Sequence, residues 1–117
     1  MDAFRVIDTE ELVAALRAGD VDEFWNVLAT EYFSGEMIPG SRWVPLETVG
    51  REAVTKRLDK NTRLVVYCSG KACPNSRDAA NKLATLGFTN VRLFEGGLEA
   101  WAASGRGVEV VRRAPAA

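Results

Sequence analysis

The sequence predicts an α/β domain built on a parallel β-sheet. Short apolar runs alternate along the chain with amphipathic stretches, which is the pattern of strands connected by helices. The 117 residues, 47% of them hydrophobic, are enough for one compact core and too few for two ordinary domains. We therefore predict one domain over residues 1–117, with residues 112–117 as a flexible tail.

Cap and turn residues define the elements of the first half. The predicted elements are a strand over 4–7, a helix over 10–18, a strand over 24–28, an irregular segment over 29–43 and a helix over 46–58. Asp8 or Thr9 can cap the first helix, and Gly19 can end it. Pro39 followed by Gly40 predicts a tight turn within the irregular segment.

The second half carries the clearest periodicity. The predicted elements are a strand over 63–67, a helix over 76–86, a strand over 91–94, a short helix over 98–104 and an edge strand over 108–111. Ala79 and Leu83 share one face of the predicted helix over 76–86, which Gly87 can end. Trp25 and Trp101 are expected to be core residues.

Cys68 stands where the apolar strand over 63–67 ends and a loop begins. The carboxyl ends of parallel strands form the crevice in which ligands bind, and a loop that enters a helix directs free backbone N–H groups into it. Because those amides favour negative charge, we expect them to lower the pKa of Cys68. A free cysteine more often acts as a small buried hydrophobe, but the position at a strand end favours a reactive thiol.

Composition excludes several classes of function. The net charge of −1, from 15 basic and 16 acidic residues, gives no broad positive field, so we expect no nucleic-acid partner. No apolar run approaches the roughly 20 residues of a membrane helix, which predicts a cytoplasmic protein without a membrane partner. The chain has no histidine and two cysteines, so Cys/His and Ser/His/Asp catalysis are excluded and no metal or other cofactor is expected.

Five segments carry a resemblance. They are IPGS at 38–41, VVYC at 65–68, SRDAA at 76–80, LGFTNV at 86–91 and EGGLEAW at 95–101. In this order and spacing they resemble the single-domain rhodanese-like (thiosulfate sulfurtransferase-like) family over nearly the whole chain. The resemblance implies a three-layer α/β fold, with a parallel sheet of about five strands flanked by helices.

The resemblance also implies a mechanism. Cys68 matches the catalytic cysteine of the family, whose thiolate takes the outer sulfur of a donor such as thiosulfate or a persulfide and becomes a persulfide itself. A thiol acceptor, or cyanide in an assay, then removes that sulfur. The residues expected to surround the substrate are Ser69, Gly70, Lys71, Ala72, Cys73, Asn75, Ser76 and Arg77. Backbone amides of such a loop can stabilise the anions without a general base.

The sequence departs from the family at three places. Where many members carry a loop arginine, the fifth residue after Cys68 is Cys73, or Asn75 if Ser76 is aligned with the family's serine. Ala29 lies near a position that is often aspartate, and Met37 replaces a frequent histidine. Lys71 and Arg77 are the nearest cations that could assist a charged donor. These departures suggest either a divergent subgroup or a module without full catalytic support.

Two further functions stay open. Cys73 could resolve a persulfide or sulfenate on Cys68 as an internal disulfide, or simply pack beneath the loop, so a sulfur-carrier, redox-sensing or protein-binding module is the alternative to an enzyme. A phosphatase or arsenate reductase would need an arginine that clamps the oxyanion, and residues 69–75 contain none.

Overall fold

A five-stranded parallel sheet with two helices on each face is the framework of residues 4–111, the residues that the computed structural model describes. In chain order the elements are β1 (Arg5–Ile7), α1 (Thr9–Arg17), β2 (Glu23–Asn26), β3 (Glu36–Met37), β4 (Arg42–Trp43), α2 (Val49–Thr55), β5 (Leu64–Tyr67), α3 (Asn75–Thr85), β6 (Val91–Phe94), α4 (Gly97–Ala103) and β7 (Glu109–Val110). The order in the main sheet is β1-β6-β5-β2-β4, which places β5 at its centre. The predicted three-layer α/β fold is confirmed.

Local sequence explains where the elements begin and end. Asp8 forms a capping box with Glu11, in which the Glu11 N–H donates to Asp8 Oδ1 at 2.8 Å and the Asp8 N–H donates to Glu11 Oε1 at 3.2 Å. The Ser41 N–H donates to the Ile38 carbonyl at 3.1 Å and Gly40 has φ +88°, so the predicted tight turn is confirmed.

The fifth strand of the main sheet is not the one predicted. Residues 108–111 were expected to form an edge strand, but β7 pairs antiparallel with β3 in a separate two-stranded sheet. The edge strand is β4, which lies in the segment predicted to be irregular and pairs with β2. Strands of two residues are too short to show the alternation from which strands are predicted.

Two hydrophobic clusters fill the space between the sheet and its helices. One, on the side of α1 and α4, includes Leu12, Tyr67 and Trp101. The other, on the side of α2 and α3, includes Trp25 and Leu83. Both tryptophans are buried, as predicted.

One helix is shorter than predicted. The helix predicted over 46–58 is a 3₁₀ turn (Leu46–Thr48) followed by α2, which ends at Thr55. The tail predicted over 112–117 lies outside the described residues. Within residues 4–111, no helix is long and apolar enough to cross a membrane.

Candidate functional site

The loop from Cys68 to Pro74 joins the central strand β5 to α3, and α4 holds its backbone. The N–H groups of Leu98 and Glu99 donate to the carbonyls of Cys68 and Ser69 at 3.0 and 2.9 Å. Gly97 has φ +56°, and a Cβ there would overlap the Cys68 carbonyl. Only glycine allows this close approach, so the first turn of α4 and the start of the loop form one packed unit.

Cys68 is fully buried at the end of β5, with 0% of its surface exposed. Its Sγ lies 3.1 Å from Ser76 Oγ and 3.4 Å from the Cys73 carbonyl oxygen. Burial, together with the hydrogen bond to Cys73, raises the pKa of Cys68 to about 11, although the Ser76 hydroxyl and N–H act in the opposite direction. In this structure Cys68 is therefore held as a protonated thiol.

The expected lowering of the Cys68 pKa is wrong. The prediction assumed that the loop amides converge on Cys68 Sγ. Instead they are shared between two sulfurs: the Ser76 N–H bonds Cys68, whereas the N–H groups of Ser69 and Asn75 bond Cys73. One amide and one hydroxyl do not offset the desolvation of a thiolate in the core.

Cys73 is the more acidic and more accessible of the two thiols. It is partly exposed, and its N–H donates to the Gly70 carbonyl at 3.0 Å. Partial burial raises the pKa of the Cys73 thiol, but the Cys68 thiol, the Asn75 N–H and the N–H and hydroxyl of Ser69 together lower it below its ordinary value. The loop thus carries one protonated thiol in the core and one thiol at its surface that ionises readily.

An open cavity of about 770 Å³ lies over the Cys73 side of the loop. Its lining residues are Leu28, Tyr32, Ser34, Glu36, Ser69, Ala72, Cys73, Pro74, Asn75, Leu98, Glu99 and Ala102. Four predicted site residues are thus brought together on one wall, while Cys68 lies behind them. The charged side chains of this lining are the carboxylates of Glu36 and Glu99.

The two predicted cations lie away from this cavity. Arg77 pairs with Glu95 at 2.5 Å and stacks over the Phe4 ring at 5.4 Å. Lys71 lines a separate cavity of about 310 Å³ together with Asp8, Glu11 and Glu95. Neither cation is therefore placed to bind an anionic donor beside Cys73, and a site that clamps a phosphate or arsenate is disfavoured.

The positions that depart from the family pattern have structural partners. Asn75 Oδ1 accepts a hydrogen bond from the Ala29 N–H at 2.9 Å, which ties the segment after β2 to the start of α3. Met37 is buried, and its Sδ accepts from Asn26 Nδ2 at 3.5 Å. Asn75 is thus engaged in packing and does not serve as a mobile substitute for arginine.

Glu99 is one of the site residues that the sequence prediction missed. Its carboxylate lies directly over Gly70, where an added Cβ would overlap it. The EGGLEAW segment contained the signal, because a helix that starts right after β6 begins at the same sheet edge as the loop after β5.

The arrangement is suited to nucleophilic sulfur chemistry. Two thiols share a hydrogen bond, and neutral N–H and O–H groups surround both sulfurs. Neutral donors stabilise a thiolate or persulfide anion without a general base. The geometry therefore supplies a nucleophile, anion stabilisation and a cavity for a small donor or acceptor.

Comparisons with known proteins agree with this geometry. A family model for the rhodanese-like domain matches residues 8–104. The BH2092 protein from Bacillus halodurans is 30% identical with a TM-score of 0.76, over 91% of this chain and 77% of that chain. The rhodanese-like domain of the Alr3790 protein from Anabaena sp. is 28% identical with a TM-score of 0.76, over 100% and 87%.

A longer enzyme shares the same fold. The thiosulfate sulfurtransferase from Pseudomonas aeruginosa is 26% identical with a TM-score of 0.75, over 93% of this chain but 21% of that chain. No match is found among the curated proteins. The family model covers most of the chain and confirms the resemblance read from the five sequence segments. The chain belongs to the rhodanese-like domain family.

Proposed function

We propose that this chain is a sulfurtransferase that carries a sulfane sulfur as a persulfide on Cys68. The observation that carries the proposal is the position of Cys68 at the carboxyl end of the central strand, with the hydroxyl and N–H of Ser76 at its sulfur. The similarity to the thiosulfate sulfurtransferase from Pseudomonas aeruginosa supports the same reaction class. The partners are a small donor, thiosulfate or a persulfide, and a thiol acceptor.

The reaction exchanges one sulfur–sulfur bond for another. A thiolate of the site attacks the outer sulfur of the donor, and the donor's S–S bond breaks. The leaving group is sulfite when the donor is thiosulfate, and it is an alkyl thiolate when the donor is an alkyl persulfide. The acceptor thiolate then attacks the outer sulfur of the Cys68 persulfide, and the Cys68 thiolate leaves. Because both steps need reduced thiols, we place the reaction in the cytoplasm.

Peptide mapping tests the proposal directly. Trypsin cleaves after Lys71, which places Cys68 and Cys73 on different peptides. The reduced protein is treated with thiosulfate or with cysteine persulfide, denatured in acid, alkylated, digested and weighed. We expect one added sulfur on the Cys68 peptide, which cyanide removes as thiocyanate. A folded protein whose Cys68 peptide never gains sulfur from either donor would contradict the proposal.

A second candidate function has its own support. Cys68 Sγ donates to the Cys73 carbonyl at 3.4 Å, and Cys68 is buried with a raised pKa, which favours a redox-sensing or sulfur-carrier module over a fast enzyme. Titration with oxidised glutathione tests it. A disulfide that links the two tryptic peptides, together with no turnover to cyanide, would favour the module.

A further inference from the structure

Cys68 is closed to a donor in solution. None of its surface is exposed, and it belongs to the hydrophobic cluster that contains Tyr67 and Leu98. The cavity beside the loop is lined by Cys73 and its neighbours, and Cys68 lies behind them. A donor in the cavity therefore meets the sulfur of Cys73 first.

Cys73 is equipped to attack such a donor. Partial burial raises the pKa of its thiol, but hydrogen bonds from Cys68, Asn75 and Ser69 lower it below its ordinary value, and the residue lines the open cavity. Cys68 Sγ lies 3.4 Å from the Cys73 carbonyl oxygen, so the two cysteines are neighbours before any reaction. A sulfur atom bound to Cys73 would consequently lie next to Cys68 with little movement of the chain.

We propose that Cys73 is a second catalytic thiol, which takes the sulfane sulfur from an alkyl persulfide in the cavity and passes it to Cys68. This relay rests on the proposed sulfurtransferase function. In the first step the Cys73 thiolate attacks the outer sulfur of the donor, and the donor's thiolate leaves. In the second step the Cys68 sulfur attacks the outer sulfur of the Cys73 persulfide, its proton goes to the departing Cys73 thiolate, and no oxidant or reductant is consumed.

The direction of the relay follows from the two environments. In thiol exchange the sulfur that ionises more easily leaves faster, which makes Cys73 the leaving group and Cys68 the final carrier. The persulfide on Cys68 is then enclosed by the core, with Cys73 as its neighbouring thiol. Cys73 is free to accept the next sulfur or to present the stored one.

Rapid quenching with cysteine persulfide as the probe tests the relay. At short intervals the reaction is stopped by acid denaturation, and the protein is then alkylated and cut after Lys71, so that sulfur on each cysteine is followed separately. In the unaltered protein we expect sulfur on Cys73 first and on Cys68 later. In Cys73→Ser we expect Cys68 to load about a hundredfold more slowly, the ratio implied by a thiol of pKa about 11 against an ordinary one. In Cys68→Ser we expect sulfur to stop on Cys73, because no second thiol takes it on.

The possible outcomes distinguish a failure of the relay from a failure of the proposed sulfurtransferase function. Undiminished loading of Cys68 in Cys73→Ser, with no sulfur on Cys73 in Cys68→Ser, would overturn the relay and leave the sulfurtransferase standing. Sulfur on neither peptide in any protein would overturn both. Thermal unfolding of both variants establishes that each is folded, and Cys73→Ala repeats the test without the hydroxyl that serine adds.

Discussion

The two ends of the central strand β5 differ in the groups that surround their ionisable side chains. At its amino end, Arg63 binds Asp22 through Nη2 at 2.7 Å and Nε at 2.9 Å, and it reaches Asp20 through Nη1 at 3.0 Å. Arg92 joins this group by donating to the Asp20 carbonyl at 2.7 Å. At the carboxyl end, the sulfurs of Cys68 and Cys73 are surrounded by N–H and O–H groups instead.

The charged pairs at the amino end of β5 stabilise the fold, whereas the neutral donors at its carboxyl end serve the chemistry. The amino end carries pairs of full charges that fix one another. At the carboxyl end, neutral donors surround the two sulfurs and can stabilise an anion that forms during the reaction.

The largest expected effect is the difference in reactivity between the two thiols. With iodoacetamide at neutral pH, we expect Cys68 in the folded protein to be alkylated about a hundredfold more slowly than an ordinary thiol, because its pKa is raised to about 11. Cys73, whose pKa is lowered, should react first. Mass spectrometry of the two tryptic peptides over time measures both rates. Equal rates would remove the distinction between a core thiol and a surface thiol.

The next effect concerns the hydroxyl beside Cys68. Ser76→Ala removes the oxygen 3.1 Å from Cys68 Sγ and should slow turnover to cyanide about tenfold, since a hydrogen bond to a charged group is worth about 1.5 kcal/mol. Ser104→Ala is the matched control, because that hydroxyl donates to the Trp101 carbonyl, at the end of α4. Thiocyanate formation measures the rates. An equal loss in both variants would mean that the effect is structural.

A smaller effect should come from the carboxylate over the loop. Glu99→Gln removes one negative charge from the cavity wall and should speed sulfur uptake from the thiosulfate dianion about fivefold at low salt. Added salt should shrink the gain. Glu95→Gln is the control, since that carboxylate pairs with Arg77 outside this cavity. A gain that is equal in both variants or insensitive to salt would argue against an acidic wall that repels oxyanions.

The smallest expected effect is on the stability of the fold, at the amino end of β5. The hydrogen bonds from Arg63 hold the pKa of Asp22 far below its usual value of about 4. Because this folded-state pKa is depressed, the pair stabilises the fold above that usual pKa and loses its contribution as the pH falls further. Asp22→Asn should lower the melting temperature slightly at pH 7, and the difference should disappear in acid. A change in the rate of sulfur transfer would show that the two ends are coupled.

The main strands and helices could be predicted from the sequence because a long element shows its hydrophobic pattern over many residues. β5 and α3 were placed to within a residue, since an apolar run and helical spacing extend over several positions. β4 and β7 were missed or misplaced because two residues cannot show a period, and their pairing depends on which distant strand lies alongside.

The site was predictable in position but not in its electrostatics. Cys68 was identified from the end of a strand, a local signal. Its raised pKa depends on core packing and on amides that turn towards Cys73, neither of which spacing reveals. The placement of Arg77 depends likewise on Glu95 and Phe4, which come from other parts of the chain.

The contact between Gly97 and the Cys68 carbonyl limits how this protein can be redesigned. Residues on the cavity side of the loop, such as Ala72, offer room to retune the choice of sulfur donor by substitution. Position 97 offers none, because any side chain there would push α4 off the loop and with it the two N–H groups that hold the Cys68 and Ser69 carbonyls. An engineer who wishes to lengthen or graft this loop must therefore transplant the first turn of α4 together with it.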